Sequence, residues 1–152
     1  MTKVCNQCEN EYQSIGQHWV RSTSCSHKEF TDYQHEIITG LLMGDGTLNI
    51  SDKNPRLQAQ MISPNYLQYL ADKFGILGSD VKLVGTAEES AESAKKSGFR
   101  PDAKKENYSD LYQWGSINHP ELHEFADWYN SGEKVWPENI KLTPTVLKHW
   151  YC

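Results

Sequence analysis

Positive charge is scarce in this chain: 15 Lys and Arg stand against 20 Asp and Glu in 152 residues, a formal net charge of -5 at pH 7. Affinity for nucleic acid comes largely from cations facing phosphate, so this balance excludes a protein that coats nucleic acid through bulk charge. It leaves one that presents a locally basic face. Long apolar runs are lacking too. No window approaches the roughly 20 apolar residues of a membrane helix. Mean hydropathy is -0.71, and the opening Met-Thr-Lys-Val-Cys carries no apolar signal core. An intracellular, cytoplasmic protein is therefore expected, associated with the nucleoid if it meets DNA, and no membrane partner. Cysteine is limited to four residues, three of them before position 26. What the chain does have is aromatic mass, 5 Trp, 8 Tyr and 4 Phe, enough for one domain with a small appendage.

The early cysteines are patterned. Cys5-Asn6-Gln7-Cys8 is followed by His18 and by Cys25-Ser26-His27. In a reducing compartment, Cys-x-x-Cys followed by further His and Cys points to zinc, and Ser14 to Val20 is short-helix material that would carry His18. The fourth ligand is Cys25 or, alternatively, His27. A redox pair would be expected inside a βαβ pattern, which is absent; incidental free thiols are the other competing reading. Tyr12, Ile15, Trp19 and Val20 are too little apolar mass to fold so short a segment without a staple, so residues 1–29 are read as a structural Zn²⁺ module.

The centre of the chain is Ile37-Ile38-Thr39-Gly40-Leu41-Leu42-Met43-Gly44-Asp45-Gly46-Thr47-Leu48. Thr31 with Gln34 three residues on makes a capping box, and Ile37, Ile38, Leu41 and Leu42 cover most of a helix surface that ends near Gly44. A mid-helix glycine costs about 1 kcal/mol against alanine. Gly40 and Gly44 share one face, where a second backbone could come unusually close, and two such helices packed together would bring their terminal aspartates to one point. The negative helix C-termini would favour a cation there. The competing reading is a buried helix followed by an Asp-Gly turn.

Beyond Asp45, Thr47 to Ile50 and Arg56 to Ile62 alternate around the turn-rich Ser51-Asp52-Lys53-Asn54-Pro55, a β-hairpin with Leu48, Ile50, Leu57, Ala59 and Met61 on its apolar face. The other face carries Thr47, Asn49, Arg56, Gln58 and Gln60. Such a row suits base edges in the major groove, whereas an ordinary solvated sheet more often mixes Lys, Glu and Thr. Ser63-Pro64 starts a helix with Leu67, Leu70, Ala71 and Phe74 inward, ended by Gly75 and Gly78. Val81 to Val84 is a strand whose partner is Tyr108 to Ile117, with the buried face of the latter undecided. Between them, residues 85–107 read as a charged, partly ordered loop, with Glu88 to Ser97 able to form a helix. Lys82, Lys95, Lys96, Arg100, Lys104 and Lys105 gather in this region. Pro120 opens another helix, with Leu122, Phe125, Ala126 and Tyr129 inward, stopped by Asn130-Ser131-Gly132. Thr143-Pro144 caps a last one carrying Val146, Leu147, Trp150 and Tyr151.

Ile38 to Gly46 resembles the LAGLIDADG motif of homing endonucleases, with Asp45 at the place of the metal-binding acid. The order helix, hairpin, helix, strand pair, helix, helix is similar to the core of that family over about residues 32–152, and short zinc-finger-like modules accompany some of its members. The resemblance implies an α+β fold of αββαββα order, a saddle-shaped antiparallel sheet with helices on one face, in domain 30–152. It implies a DNA endonuclease of intron or intein mobility, hydrolysing phosphodiester bonds with Mg²⁺ or Mn²⁺. Asp45 and the Gly44 carbonyl would hold the metal, and Gln58 or Gln60 would position water. Thr47, Asn49, Lys53, Arg56, Gln58, Gln60, Lys82 and Arg100 would contact double-stranded DNA. Such enzymes need two motif helices, so the resemblance also implies a homodimer or a second LAGLIDADG half. Leu142 to Cys152 looks like the approach to a second motif helix, without its acid. The alternatives are a non-catalytic DNA- or RNA-binding regulator or splicing maturase on the same fold, and a zinc-dependent protein-interaction module. His35, His119, His123 and His149 are expected to be structural or exposed.

Overall fold

The computed structural model describes residues 2–50, 52–98, 101–102, 104, 106, 109–129 and 133–151. The elements in chain order are β1 (Lys3–Val4), β2 (Glu11–Tyr12), α1 (Ile15–Arg21), α2 (Asp32–Met43), β3 (Thr47–Asn49) and β4 (Arg56–Met61). There follow α3 (Pro64–Phe74), β5 (Lys82–Gly85), α4 (Ala87–Lys96), β6 (Leu111–Gly115), α5 (His123–Ala126) and α6 (Pro144–Trp150). One four-stranded antiparallel sheet of order β3-β4-β6-β5 carries the larger part, and β1 and β2 form a separate ribbon at the amino terminus.

The long helices begin where the sequence says they should. Thr31 accepts the Gln34 amide at 3.1 Å while Gln34 Oε1 accepts the Thr31 amide at 2.9 Å, a reciprocal cap at the start of α2. The same box, Thr86 with Glu89, starts α4 inside the stretch expected to be a loop, so residues 87–96 are helical. Pro64 opens α3 and Gly75, at φ +53°, closes it in a conformation that side chains resist. The helix expected after Pro120 is broken into a 3₁₀ turn, a single α turn and a second 3₁₀ turn; its expected stop, Asn130-Ser131-Gly132, lies outside the described residues.

The hairpin register pairs Thr47 with Gln58 and Asn49 with Arg56, leaving Leu48, Leu57 and Ala59 on the buried face. Ile50 departs from expectation: β3 ends at Asn49 and Ile50 is exposed, because the chain has already turned. Strand β6 settles its undecided face, with Trp114 fully buried and Gln113 and Gly115 on the polar side; Tyr108 of the expected strand lies outside the described residues. The core is continuous. Cys5, Ile15, Trp19 and Phe30 join the same buried cluster as Ile37, Leu41, Leu57, Leu70 and Trp114. His119 packs at a tilt on Phe30 and edge-on to His27, and it bonds the Lys28 carbonyl at 2.7 Å, so residues 27–30 are held against the chain beyond β6.

Helix α6 supplies the main correction. Val146 is buried as expected, but Leu147 and Tyr151 are exposed and His149 is buried in their place. The reason is its neighbour. α6 lies against the glycine face of α2, where it meets Gly40 and Gly44.

Candidate metal and nucleic-acid sites

The glycine notch in α2 is filled from within the chain. A Cβ on Gly40 would stand 2.5 Å from the Val146 carbonyl oxygen and 2.8 Å from His149 Cβ; one on Gly44 would stand 2.8 Å from the Trp150 carbonyl oxygen. Position 40 faces 146 and 149, and position 44 faces 150, so the two helices run in the same direction and finish together. A copy of α2 cannot use that face while α6 occupies it. The expected glycine-to-glycine contact with a second identical helix is therefore replaced by a contact with α6, which contains no acidic residue.

Asp45 stands exposed where the pair ends. The turn beneath it is tight: the amides of Gly44 and Gly46 both bond the Leu41 carbonyl, at 3.0 and 2.8 Å, and Gly46 has no room for a Cβ. With those amides used, the carbonyls of Gly44 and Gly46 accept hydrogen bonds from Lys134 Nζ, at 2.8 and 3.1 Å. Burial pushes the Lys134 ammonium below its usual range, and the Asp45 charge opposes that. The donor set at this turn, one carboxylate and two carbonyls already accepting from a cation, fits a hard divalent ion.

The polar face of the sheet leads away from this turn. Its rows are Thr47–Gln58–Gly115, Asn49–Arg56 and Gln60–Gln113–Lys82. Thr47, two residues past Asp45, pairs with Gln58, so Gln58 and the following Gln60 lie toward the Asp45 end of β4. Gln60 Nε2 donates to Gln113 Oε1 at 2.7 Å. Arg56 lies over Gly115, where a Cβ would be 2.8 Å from its Nε, and among the described residues that buried nitrogen has no hydrogen-bond partner. Arg56, Lys82 and Asn118 line one side of a cleft of about 500 Å³ whose other side is Lys3, Ser14 and Gly16 of the amino-terminal module. Thr47, Asn49, Lys53 and Lys82 are exposed, and Arg100 lies outside the described residues.

The second cluster is at the amino terminus. Cys5, Cys8, His18 and Cys25 bring their ligand atoms within 4.8 Å of one another. His27 is not among them; its ring sits between Trp19 and His119. A tetrahedron with Zn–S near 2.3 Å has edges of about 3.8 Å, so the donor set fits zinc. The surroundings of Cys5 favour its thiolate. Gln7 N and Trp19 Nε1 each donate to Cys5 Sγ at 3.4 Å. Burial raises the Cys5 thiol, but the Cys8 and Gln7 amides with Trp19 and His18 outweigh it and bring it down to about 6. Burial pushes the Cys25 thiol up. Tyr12 stacks on His18 with ring centroids 3.7 Å apart and fixes the imidazole plane, while its hydroxyl lies 3.4 Å from Cys8 Sγ.

Sequence reasoning missed three groups. Tyr12 as the plate behind His18 and Lys134 at the motif turn carry no local signal. Gly115, which seats Arg56, did carry one: a glycine inside a strand marks a close approach.

The LAGLIDADG DNA endonuclease family matches residues 35–152, and the chain belongs to it. No curated protein matches the chain closely enough to say more. The amino-terminal cluster lies ahead of the matched region.

Proposed function

We propose that this chain is one half of a site-specific DNA endonuclease of the homing type, in which Asp45 and the Gly44 carbonyl bind Mg²⁺ or Mn²⁺ at a scissile phosphate. The observation that carries this is the seam: a glycine-faced motif helix pressed by a parallel helix, with an exposed carboxylate at the shared end beside a sheet face of Gln, Asn, Thr and Arg. When bound, the ion would supply a Lewis acid that lowers the pKa of a water and neutralises the leaving oxygen. Gln58 and Gln60 stand on the face where that water would be oriented. The polar rows lie along the major groove, with Arg56, Lys82, Thr47 and Asn49 against bases and phosphates. The second carboxylate comes from a second LAGLIDADG half that continues the line of α6, rather than from a copy of α2 in its notch.

The amino-terminal cluster holds structural Zn²⁺ through Cys5, Cys8, His18 and Cys25. With Lys3 and Ser14 bordering the Arg56 cleft, the module extends the same DNA-facing surface.

The test is Mg²⁺-dependent cleavage of a DNA library by the chain joined to a second motif half. Asp45→Asn is expected to abolish cleavage, a loss of more than about 1,000-fold, while gel-shift affinity stays within a factor of about two. Binding without cleavage under every metal condition would replace the enzyme with a non-catalytic nucleic-acid binder on the same fold; failure to bind DNA at low salt would leave a zinc-dependent protein-interaction module.

A further inference from the structure

We infer that Lys134 is the resident counter-cation of the motif turn, holding the carbonyls on either side of Asp45 and leaving the Gly44 carbonyl when a divalent ion takes it together with the Asp45 carboxylate. This rests on the metal-binding reading of Asp45.

The turn's amides do not need Lys134. Those helix-terminal amides are satisfied by the Leu41 carbonyl, so the fold of residues 44–46 is closed before Lys134 arrives. What the ammonium satisfies is the outward pair of carbonyls, at 2.8 Å from Gly44 O and 3.1 Å from Gly46 O. A helix C-terminus and two convergent carbonyls make a cation-attracting point, and charge-assisted bonds of this length are about twice as strong as neutral ones. The lysine is delivered deliberately: the next residue, Val135, donates its amide to the Trp128 carbonyl at 2.7 Å and fixes the segment against the domain. Among the described residues, Lys134 forms no ion pair within 4.0 Å that would explain its place by another partner.

A lysine so placed competes with a metal in two ways. It blocks the Gly44 carbonyl and adds a positive charge near the site. A unit charge about 5 Å from a divalent ion costs close to a factor of ten in affinity even in water-like dielectric. In the metal-free protein it also satisfies two carbonyls that would otherwise be unpaired at one helix end. A merely structural clamp would act in the opposite sense, because loosening the turn would weaken the metal site.

The experiment is an NMR titration of the full chain with Mn²⁺, following broadening of the amide signals of Asp45 to Thr47, in wild type, Lys134→Met, Lys134→Gln and Lys28→Met. The last removes the same charge beyond the opposite end of α2. Broadening lost in Asp45→Asn marks the site. Lys134→Met is expected to tighten Mn²⁺ about tenfold, Lys134→Gln, which keeps a donor to the carbonyls, about threefold, and Lys28→Met less than twofold. Should Lys134→Met misfold, Lys134→Gln decides. Asp45-dependent binding that is unchanged or weaker in the folded Lys134 variant overturns the inference and leaves the metal reading intact. Absence of any Asp45-dependent binding in wild type overturns both.

Discussion

Set side by side, the amino-terminal cluster and the motif seam hold their helices by opposite means. In the cluster, four side chains able to ligate a metal, drawn from 21 consecutive positions, converge within 4.8 Å, and burial, amide bonds and a stacked tyrosine keep them there. At the seam, nothing ligates the two helices. Gly40 and Gly44 simply let α6 come within backbone distance, and the single carboxylate they deliver is left exposed. The first is a closed site, complete in itself, whose metal would act on stability. The second is open, with its coordination left for substrate and for a second acid, and its metal would act on chemistry. On the reading proposed above, a chain that carries both would separate the ion that folds it from the ion that works.

The largest expected effect breaks the cluster. Cys5→Ser, or a chelator such as phenanthroline, is expected to release one zinc per chain and unfold the module, because structural zinc binding contributes about 10 kcal/mol or more to small metal-stapled folds. Metal analysis with thermal melts reads this. The shared core carries the damage onward: Cys5, Ile15 and Trp19 are buried together with Ile37 and Leu41, so the melting temperature of the whole chain should fall. A melt of the larger domain that ignores zinc loss would show the module to be an independent appendage. Next in size is Gly40→Ala. Its Cβ would meet the Val146 carbonyl oxygen at 2.5 Å, backbone that cannot yield cheaply, and His149 Cβ at 2.8 Å, so a loss of about 3 kcal/mol in denaturant unfolding is expected, with zinc content unchanged. A loss below about 0.5 kcal/mol would mean that α6 does not pack in the notch.

These two regions also differ in how much of them the sequence reveals. The cluster is local, so Cys-x-x-Cys, a short helix and a following Cys-x-His are enough to point to a convergence of Cys5, Cys8 and His18, while the sequence leaves Cys25 and His27 as alternatives and the structure brings Cys25 to the other three; the ribbon of β1 and β2 and the place of Tyr12 carry no such signal. Helix α2 was equally plain, since its capping box and glycine spacing are written within 14 residues. The partner in its notch was not plain. An amphipathic reading of α6 puts Leu147 and Tyr151 inward, but a helix received by a glycine face is buried on the side its backbone presents, and there His149 lies instead. Lys134 was invisible for a simpler reason. It reaches Gly44 from 90 residues further along the chain, and a lone lysine in a loop has no pattern.

The smallest effect sharpens the comparison by pH. His149 is buried at the seam, its Nδ1 shares a hydrogen bond with the Tyr66 hydroxyl, and among the described residues its Nε2 has no hydrogen-bond partner. Burial first, and the Lys148 charge second, bring its pKa down from 6.5 to about 4. A depressed imidazole favours the neutral form in the folded state, so the unfolded chain binds more protons between those two values and stability rises with pH across them. The contribution is fully present above about pH 6.5 and is lost as pH falls toward 4. Between pH 7 and pH 5 the loss amounts to about 2 kcal/mol. Denaturant unfolding at the two pH values should show it in the zinc-loaded protein, and His149→Phe should flatten it. A slope that persists in His149→Phe would move the acid sensitivity from the helix seam to the thiolates of the cluster, whose metal is also lost to protons, and the zinc content measured in the same samples distinguishes the two.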